Sequence, residues 1–285
     1  KPVAVPSQDM ILGTYYLTVV REDTREKAKT FATYDEVMLA YEAGIIGLQD
    51  ILYIRMPEYG RVETTAGRLI FNNALFPELW QYAQKEDGTY SLGKVMDKKT
   101  VGKLVDQCFQ LFGNEKTAEL LDRIKSLGYS FARRAGMTVA IADIKVPEVK
   151  FELLDTAEQE VEKVSRMYRR GLITEEERYR KTIQLWTKAT EDVTEAMMDN
   201  MARDKDGFNP VYMMAISGAR GNKQQIRQLA GMRGLMADPS GRIIDLPIKA
   251  NFKEGLTVLD YFTSSHGARK GLADTALRTA DSGYL

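Results

Sequence analysis

The stretch that decides the fold consists of two helical sequences, DTAEQEVEKVSRMYRR (155–170) and TEEERYRKTIQLWTKATEDVTEAMMDNM (174–201). Between them lies a three-residue connection that begins with Gly171, the only glycine of the stretch, which contains no proline. Thr174 and Glu177 have the spacing of a capping box, and acidic residues fill the first turn after it. The short connection therefore predicts an antiparallel helical hairpin that protrudes by about 24 Å.

A narrow apolar seam follows each arm of the predicted hairpin. It is formed by Val161, Val164, Met167 and Tyr168 on the first arm and by Tyr179, Ile183, Trp186, Ala189, Val193, Ala196 and Met197 on the second. A seam of this width suits two helices packed on each other rather than a thick core. The polar tip is solvated in most hairpins of this kind, but it is also a suitable docking site for a protein partner.

Residues 1–147, before the hairpin, carry mixed helix and strand signals. A helix capped near Thr33 is predicted over Tyr34–Tyr41, and a strand over Ile51–Arg55. Leu12–Val20 is rich in aromatic and β-branched residues and predicts either a strand or a short helix. Met137–Ile141 is a further strand candidate.

Two helices are predicted between residues 100 and 128. Thr100 can cap the first, whose apolar side chains follow 3/4 spacing and include Cys108, and Gly113 ends it. Thr117–Leu127 predicts the second helix, ended by Gly128. The expected fold class is therefore a mostly helical α+β protein. It combines a mixed α/β region, the helical hairpin and a glycine-rich loop region that leads into a long helix.

Composition changes near Asn209. Residues 209–285 contain ten Lys/Arg and six Asp/Glu, together with nine of the 22 glycines. A helix is predicted over Lys223–Ala230, and a loop follows it as far as Gly241. From Thr263 onward the sequence runs into a final helix that reaches Leu285.

One face of the final helix carries only small side chains. Thr275, Ala276, Thr279, Ala280 and Gly283 share this face. A bare face lets a flat partner, such as a base pair, approach the helix closely. The nearby Arg269, Lys270 and Arg278 are suited to meeting phosphates. The plainer alternative is tight helix–helix packing through small residues, and the pattern alone leaves both open.

The segment SGARG (217–221) also has two interpretations. Its glycines would let backbone N–H groups approach a phosphate, and Arg220 could bind the phosphate oxygens in a bidentate manner. The alternative is a glycine-rich turn with a surface arginine. The only histidine, His266, is placed at the start of the final helix, where it could act as a cap; nothing nearby completes a catalytic constellation.

Composition excludes several classes of function. The chain has 40 basic and 40 acidic residues, so it is not a polycation that grips nucleic acid with its whole surface. A single cysteine excludes a disulfide scaffold or a Cys-based zinc site, and no carboxylate cluster has the spacing for two metal ions. No apolar run is long enough to span a bilayer. With one cysteine and first residues that do not form a signal peptide, a reducing, cytoplasmic setting is expected. The sequence ends inside a helical pattern, which suggests a piece of a longer chain.

Two hypotheses of different class follow from the residues. One is a module of a nucleic-acid enzyme that positions substrate without holding the metal. The other is a helical scaffold that binds protein partners through the hairpin.

Several motifs resemble the β′ subunit family of bacterial DNA-directed RNA polymerase. They are KPVAVPSQDM (1–10), TTAGR (64–68), NPVYMM (209–214), SGARG (217–221), QIRQLAGMRGLM (225–236) and HGARKGLADTAL (266–277). The resemblance covers essentially the whole chain and is most specific after residue 209.

The resemblance implies a division into four parts. Residues 1–147 would be the pore region that lines the secondary channel, and 148–208 the rim-helix hairpin. Residues 209–252 would form the funnel and the F-loop. Residues 253–285 would begin the cleft region and the bridge helix.

The resemblance also implies roles for particular residues. Arg220 would meet the triphosphate of the incoming nucleotide. The template would be contacted by Thr275, Ala276, Arg278, Thr279 and Ala280. The bridge-helix cap and F-loop would comprise Arg227, Met232, Arg233, Asp238, His266, Arg269 and Lys270. The aspartates of the family that hold catalytic Mg²⁺, and its zinc-binding cysteines, match no part of this chain, so no catalytic or metal-binding residue is expected here.

The implied activity is nucleotidyl transfer, in which an RNA 3′-hydroxyl attacks the α-phosphate of a nucleoside triphosphate. The implied partners are the β, α, ω and σ subunits, template DNA, nascent RNA, and Gre-type factors at the hairpin, but not a membrane. The implied location is cytoplasmic and associated with the nucleoid. The alternative is a helical scaffold whose main role is to dock transcription factors.

Overall fold

The computed structural model describes residues 4–84, 90–238 and 240–285. It divides the chain into two compact units, one formed by residues 1–139 and 210–222 and the other by residues 140–209 and 223–285. A boundary therefore falls at Asn209, where the composition changes. The first three residues of KPVAVPSQDM and Pro239 of the predicted loop lie outside the described residues.

Within the described residues, the first unit combines five α-helices with a small mixed sheet. The helices are α1 (Asp9–Thr18), α2 (Tyr34–Glu42), α3 (Ala66–Asn73), α4 (Lys98–Ala135) and α7 (Pro210–Ile216). The strands are β1 (Lys29–Phe31), β2 (Ile51–Met56), β3 (Gly60–Thr65), β4 (Tyr82–Gln84) and β5 (Tyr90–Leu92), in the order β1-β2-β3-β5-β4. β2 and β3 pair antiparallel, as do β4 and β5, whereas β1–β2 and β3–β5 pair parallel. The α2 and β2 predictions are confirmed, and Leu12–Val20 proves to be largely helical.

The core of the first unit forms where α1 crosses α4. A Cβ atom on Gly13 would overlap the carbonyl oxygen of Gly128, and one on Gly128 would lie 2.5 Å from the carbonyl oxygen of Met10. The two backbones can therefore approach this closely only because both positions are glycine. Around the crossing, Ile11, Leu104, Leu120 and Ile124 are fully buried.

α4 consists of the two predicted helical segments, but its start and its end differ from the prediction. Its cap is Asp97, whose carboxylate accepts a hydrogen bond from the N–H of Thr100, so the prediction of Thr100 as the cap is wrong. The predicted break at Gly113 is confirmed, because the backbone there is non-helical, with φ 74° and ψ −165°. The second helical segment continues through Gly128 to Ala135. The prediction that Gly128 ends a helix is wrong, because this glycine serves the contact with α1 rather than a helix end.

The strand predicted over Met137–Ile141 is also wrong. The segment is irregular and leads into a short 3₁₀ turn over Ile141–Asp143. Val139 and Ile141 are 50% and 74% exposed, so their β-branched side chains pack into no sheet.

The second unit contains the hairpin, formed by α5 (Val149–Arg169) and α6 (Glu175–Arg203), with α8 (Lys223–Ala230) and α9 (Val258–Tyr284). The capping box is present: Thr174 Oγ1 accepts from the N–H of Glu177, whose carboxylate accepts from the N–H of Thr174. α5 begins six residues before Asp155, so the shorter arm has 21 residues and a length of about 32 Å. The prediction of α8 is confirmed.

The hairpin seam is buried only toward its base. Trp186, Ala189 and Val193 pack there against Leu154 and Ala157. Met167 and Tyr168 were predicted in the seam but are 43% and 40% exposed. The guanidinium of Arg178 lies 5.7 Å from the ring centroid of Tyr168 and covers it only in part.

α9 begins earlier than predicted. Its capping box is formed by Thr257 and Asp260, so His266 lies inside the helix and the prediction that it acts as a cap is wrong. None of the helices described combines the length and the apolar composition needed to cross a membrane.

Candidate functional site

Four residues of the bare face predicted on α9 were also predicted to contact the template: Thr275, Ala276, Thr279 and Ala280, hereafter the small-residue face. Gly283 completes the predicted bare face, and Arg278 is the remaining predicted template contact. The hydroxyl of Thr275 donates to the carbonyl oxygen of Gly271 at 2.8 Å, and that of Thr279 to the carbonyl oxygen of Thr275 at 2.8 Å. All four residues are exposed. Since both hydroxyls are used within the helix, the face offers a partner mainly methyl groups and a close approach to the backbone.

Positive charge lies near the small-residue face. Arg269, Lys270 and Arg278 are exposed, and within the described residues none of them forms an ion pair. Cations without carboxylate partners are available for phosphate oxygens. His266 is also exposed on this helix.

The first turns of α9 carry apolar residues that the sequence analysis did not single out. Val258, Leu259, Tyr261 and Phe262 are between 63% and 74% exposed, whereas Ser264 is buried. Their spacing would have indicated a helix face, had the helix been predicted to start before Thr263.

The predicted cap and F-loop residues lie in the second unit, on and after α8. Met232 is fully buried in the hairpin seam. Arg233 places its guanidinium 5.0 Å from the ring centroid of Phe252. Burial lowers the pKa of both Arg227 and Arg233, and the buried Nε atom of each has no hydrogen-bond partner in the described structure. Two guanidinium groups with unused N–H donors can donate hydrogen bonds to an anionic or carbonyl partner.

Asp238 organises the turn in which it lies. Its carboxylate accepts hydrogen bonds from the Ser240 hydroxyl at 2.6 Å and from the N–H of Arg242 at 2.9 Å. The bond from Ser240 contributes most to lowering the pKa of Asp238. The carboxylate of Asp238 therefore stabilises its own turn by bonding Ser240 and Arg242.

Arg220 belongs to the first unit, on the turn after α7. Ser217 anchors this turn. It is fully buried, and its carbonyl oxygen accepts a hydrogen bond from the N–H of Lys98 at 2.9 Å. Gly218 has φ 72°, and a Cβ there would lie 3.1 Å from the Cβ of Lys98. Arg220 itself is exposed and has no ion pair within the described residues. A guanidinium on a supported turn can bind phosphate oxygens in a bidentate manner.

Sequence reasoning missed a buried polar group at the base of the hairpin. Lys150 is 1% exposed and donates to the carboxylate of Glu254 at 2.6 Å. The carboxamide of Asn251, fully buried, donates to the carbonyl oxygens of Ala230 and Gly231. Asn251 and Glu254 also bond each other across three positions, a local spacing that could have indicated a turn. The buried bonds to Lys150, Ala230 and Gly231 span 20 to 104 positions and are marked by no local motif.

In the part of the chain that the structure describes, no three His, Cys, Asp or Glu side chains are grouped so that they could hold a metal ion. Asp204, Asp206 and Gly207 belong to a short 3₁₀ turn. Asp204 accepts a hydrogen bond from the side chain of Asn209 there.

Three family models match the chain. RNA polymerase Rpb1, domain 3, matches residues 1–144; domain 4 matches 173–254; and domain 5 matches 255–285. Proteins called DNA-directed RNA polymerase subunit beta′ are similar over the whole chain. The identity is 59% for the protein of Pelotomaculum thermopropionicum, 56% for that of Desulforudis audaxviator and 49% for that of Clostridium novyi. The chain spans about a quarter of the length of these relatives, between 23% and 25%.

Proposed function

The chain belongs to the RNA polymerase Rpb1 family, and from this premise we propose that it is the part of a polymerase β′ subunit that lines the secondary channel and positions template and nucleoside triphosphate. The observation that carries the proposal is the small-residue face of α9. It is exposed, its threonine hydroxyls are bonded within the helix, and unpaired cations flank it.

In the proposed reaction, the RNA 3′-oxygen forms a bond to the α-phosphorus of the nucleoside triphosphate, and pyrophosphate leaves. The described residues offer no carboxylate set that fits catalytic magnesium, so the Mg²⁺ of the polymerase, like its Zn²⁺, would be held by residues elsewhere in the enzyme. The residues of this chain contribute by positioning. The small-residue face supports the template base, and Arg220 neutralises polyphosphate charge.

The experiment that tests the template role is Ala280→Leu in the complete polymerase. A leucine adds three carbon atoms to the small-residue face and would displace a base that lies against it. We expect nucleotide addition to slow by about a hundredfold, which corresponds to about 3 kcal/mol. The matched control is Leu277→Ala, which removes bulk from a 65% exposed position on the same helix. Normal elongation by Ala280→Leu would contradict the template role.

Arg220→Ala tests the nucleotide role separately. Loss of a charge-assisted contact worth about 1.5–3 kcal/mol should raise the apparent KM for nucleotides by about ten- to a hundredfold. Arg220→Lys retains the charge without the bidentate geometry and should give an intermediate KM. Unchanged kinetics for every nucleotide would remove Arg220 from the site.

A second candidate function, docking of a Gre-type factor, is favoured by the hairpin tip. Leu172 is 69% exposed there, and Met167 and Tyr168 lie close to it in sequence with 43% and 40% exposure. Exposed apolar side chains at a protruding tip are typical of protein interaction sites. Leu172→Glu should abolish binding of a Gre-type factor to the polymerase while elongation without the factor continues. Unchanged factor binding would argue against docking at the tip.

The proposal extends to partners and location. The β, α, ω and σ subunits, template DNA and nascent RNA would be the partners of the complete subunit, in the cytoplasm and at the nucleoid. Copurification of these subunits with a tagged full-length β′ subunit tests the assembly.

A further inference from the structure

A two-stranded ribbon follows α8 and occupies residues 231–250. Gly234 and Ile248 exchange backbone hydrogen bonds of 2.9 Å in both directions, and Ala237 pairs with Ile243 farther out. The ribbon contains three of the predicted cap and F-loop residues: Met232 and Arg233 at its base and Asp238 at its tip. What holds the ribbon in place therefore determines where these three residues lie.

The base of the ribbon is fixed to the hairpin. The buried Asn251 and the Lys150–Glu254 ion pair join the base to α5. The sulfur of Met232, also at the base, lies 3.7 Å from the hydroxyl of Thr190 on α6. Lys150, Asn251 and Met232 are buried, so these contacts leave little freedom to the ribbon at this end.

The tip of the ribbon is fixed to the hairpin as well, by two residues at the start of α6. Arg178 donates from Nη1 to Asp245 at 3.0 Å, while its Nε and Nη2 donate to Glu175. The Tyr179 hydroxyl donates to the carbonyl oxygen of Ile243 at 2.8 Å. Twelve residues separate Arg178 from Thr190, so the ribbon is held at points about 18 Å apart along α6.

The tip ion pair differs from the contacts at the base because both of its partners are partly exposed, whereas Lys150, Asn251 and Met232 are buried. Arg178 and Asp245 have side-chain exposures of 20% and 37%. Such bonds are weak enough to open without unfolding the hairpin. The tip contacts can therefore be removed experimentally while the buried base remains in place.

We propose that Arg178 and Tyr179 are positioning residues, which tie the tip of the ribbon to the hairpin so that the two move as one body. The residues that the ribbon carries are thereby kept in a fixed place relative to α6. The expected effect on RNA synthesis rests on the proposed function. The expected effect on the motion of the ribbon is independent of that function.

Amide hydrogen exchange on the full chain tests the positioning directly. The variants are Asp245→Asn, Tyr179→Phe and the two combined. We expect the amides of Asp238 and Ile244, which bond across the ribbon, to exchange about two- to fivefold faster in each single variant and faster still in the combination. Unchanged exchange at both amides in the combined variant would overturn the proposal. An equal increase throughout α6 would also overturn it, because it would indicate a general loss of stability.

Two controls accompany the exchange measurement. Asp245→Glu keeps the carboxylate and should retain the slow exchange of the original chain. Glu162→Gln removes another surface ion pair of the hairpin, with Arg166 at 3.5 Å, and should leave the ribbon unchanged. Accelerated ribbon exchange in Glu162→Gln would contradict a specific role for the tip contacts.

The consequence for RNA synthesis is tested in the complete polymerase with the combined variant. A loosened ribbon should lower kcat for single-nucleotide addition about two- to fivefold and leave KM for the nucleotide unchanged, because Arg220 is untouched. An unchanged kcat would overturn this part of the proposal. Failure of the proposed function itself would instead appear as normal elongation by Ala280→Leu, a variant that leaves the ribbon intact.

Discussion

Glycines lie in opposite surroundings in two parts of this molecule. At the crossing of α1 and α4, Gly13 and Gly128 bring the two backbones into direct contact, and a methyl group on either would collide with the other helix. In α9, no described atom outside the helix backbone lies within 4 Å of the position that a Cβ would take on Gly267, Gly271 or Gly283. Close packing explains the first pair. It does not explain the second set within the described chain.

The difference has an energetic consequence. A glycine inside a helix costs about 1 kcal/mol relative to alanine, through backbone entropy and lost side-chain contacts. At the α1–α4 crossing this cost is offset by burial of the surrounding core. In α9 no offset is visible within the described residues, which favours a partner outside the chain as the reason for the small side chains.

The largest effect is expected at the crossing. Gly128→Ala should lower the free energy of unfolding by about 3 kcal/mol, since the new methyl group must push α1 away from α4. Urea denaturation followed by circular dichroism measures it. Gly102→Ala is the matched control on the same helix, because open space surrounds that position, and it should not destabilise the chain. Equal stability of the two variants would contradict the close contact.

The free energy of unfolding should also depend on pH through Tyr15 of α1. Tyr15 on α1 is 5% exposed, and burial raises its pKa from 10.0 to about 12. Since the folded state favours the neutral phenol, this stabilisation is intact below pH 10 and is lost as the pH rises toward 12. The stability of Tyr15→Phe relative to the original chain should therefore increase by about 2 kcal/mol over this interval. A difference that stays constant with pH would contradict the raised pKa.

The smallest effect is expected in α9, and it has the opposite sign. Gly271→Ala should stabilise the helix by about 1 kcal/mol, which slows amide exchange in its middle about fivefold. Gly267→Ala should behave in the same way, because its surroundings are equally open. Faster exchange in either variant would mean that a close contact exists at that glycine after all.

Local signals allowed much of the helical part of the fold to be predicted. The capping box of Thr174 and Glu177 and the apolar spacing of Trp186, Ala189 and Val193 depend on neighbours in sequence, so the hairpin could be derived from its own residues. The confirmed α2 and α8 are likewise short segments with local start or stop signals.

The errors arise where long-range contacts decide. Gly128 has the local signature of a helix end, but its role is the contact with α1. Val139 and Ile141 have β-branched side chains without a neighbouring strand to pair with. The five-strand order also depends on pairings that no single segment specifies.

The candidate site divides in the same way. The small-residue face and the neighbouring cations follow from helical spacing alone. The ribbon and its contacts with Arg178 and Tyr179 could not be predicted, because they join residues more than 60 positions apart.

We propose that the uncovered face of α9 receives the template strand. A structure of the complete polymerase containing this chain, determined with template and RNA bound, tests it most directly. We expect the Cβ atoms of Thr279 and Ala280 to lie within about 4 Å of a template base. The claim is contradicted if both residues are enclosed by protein side chains and no nucleotide lies beside them.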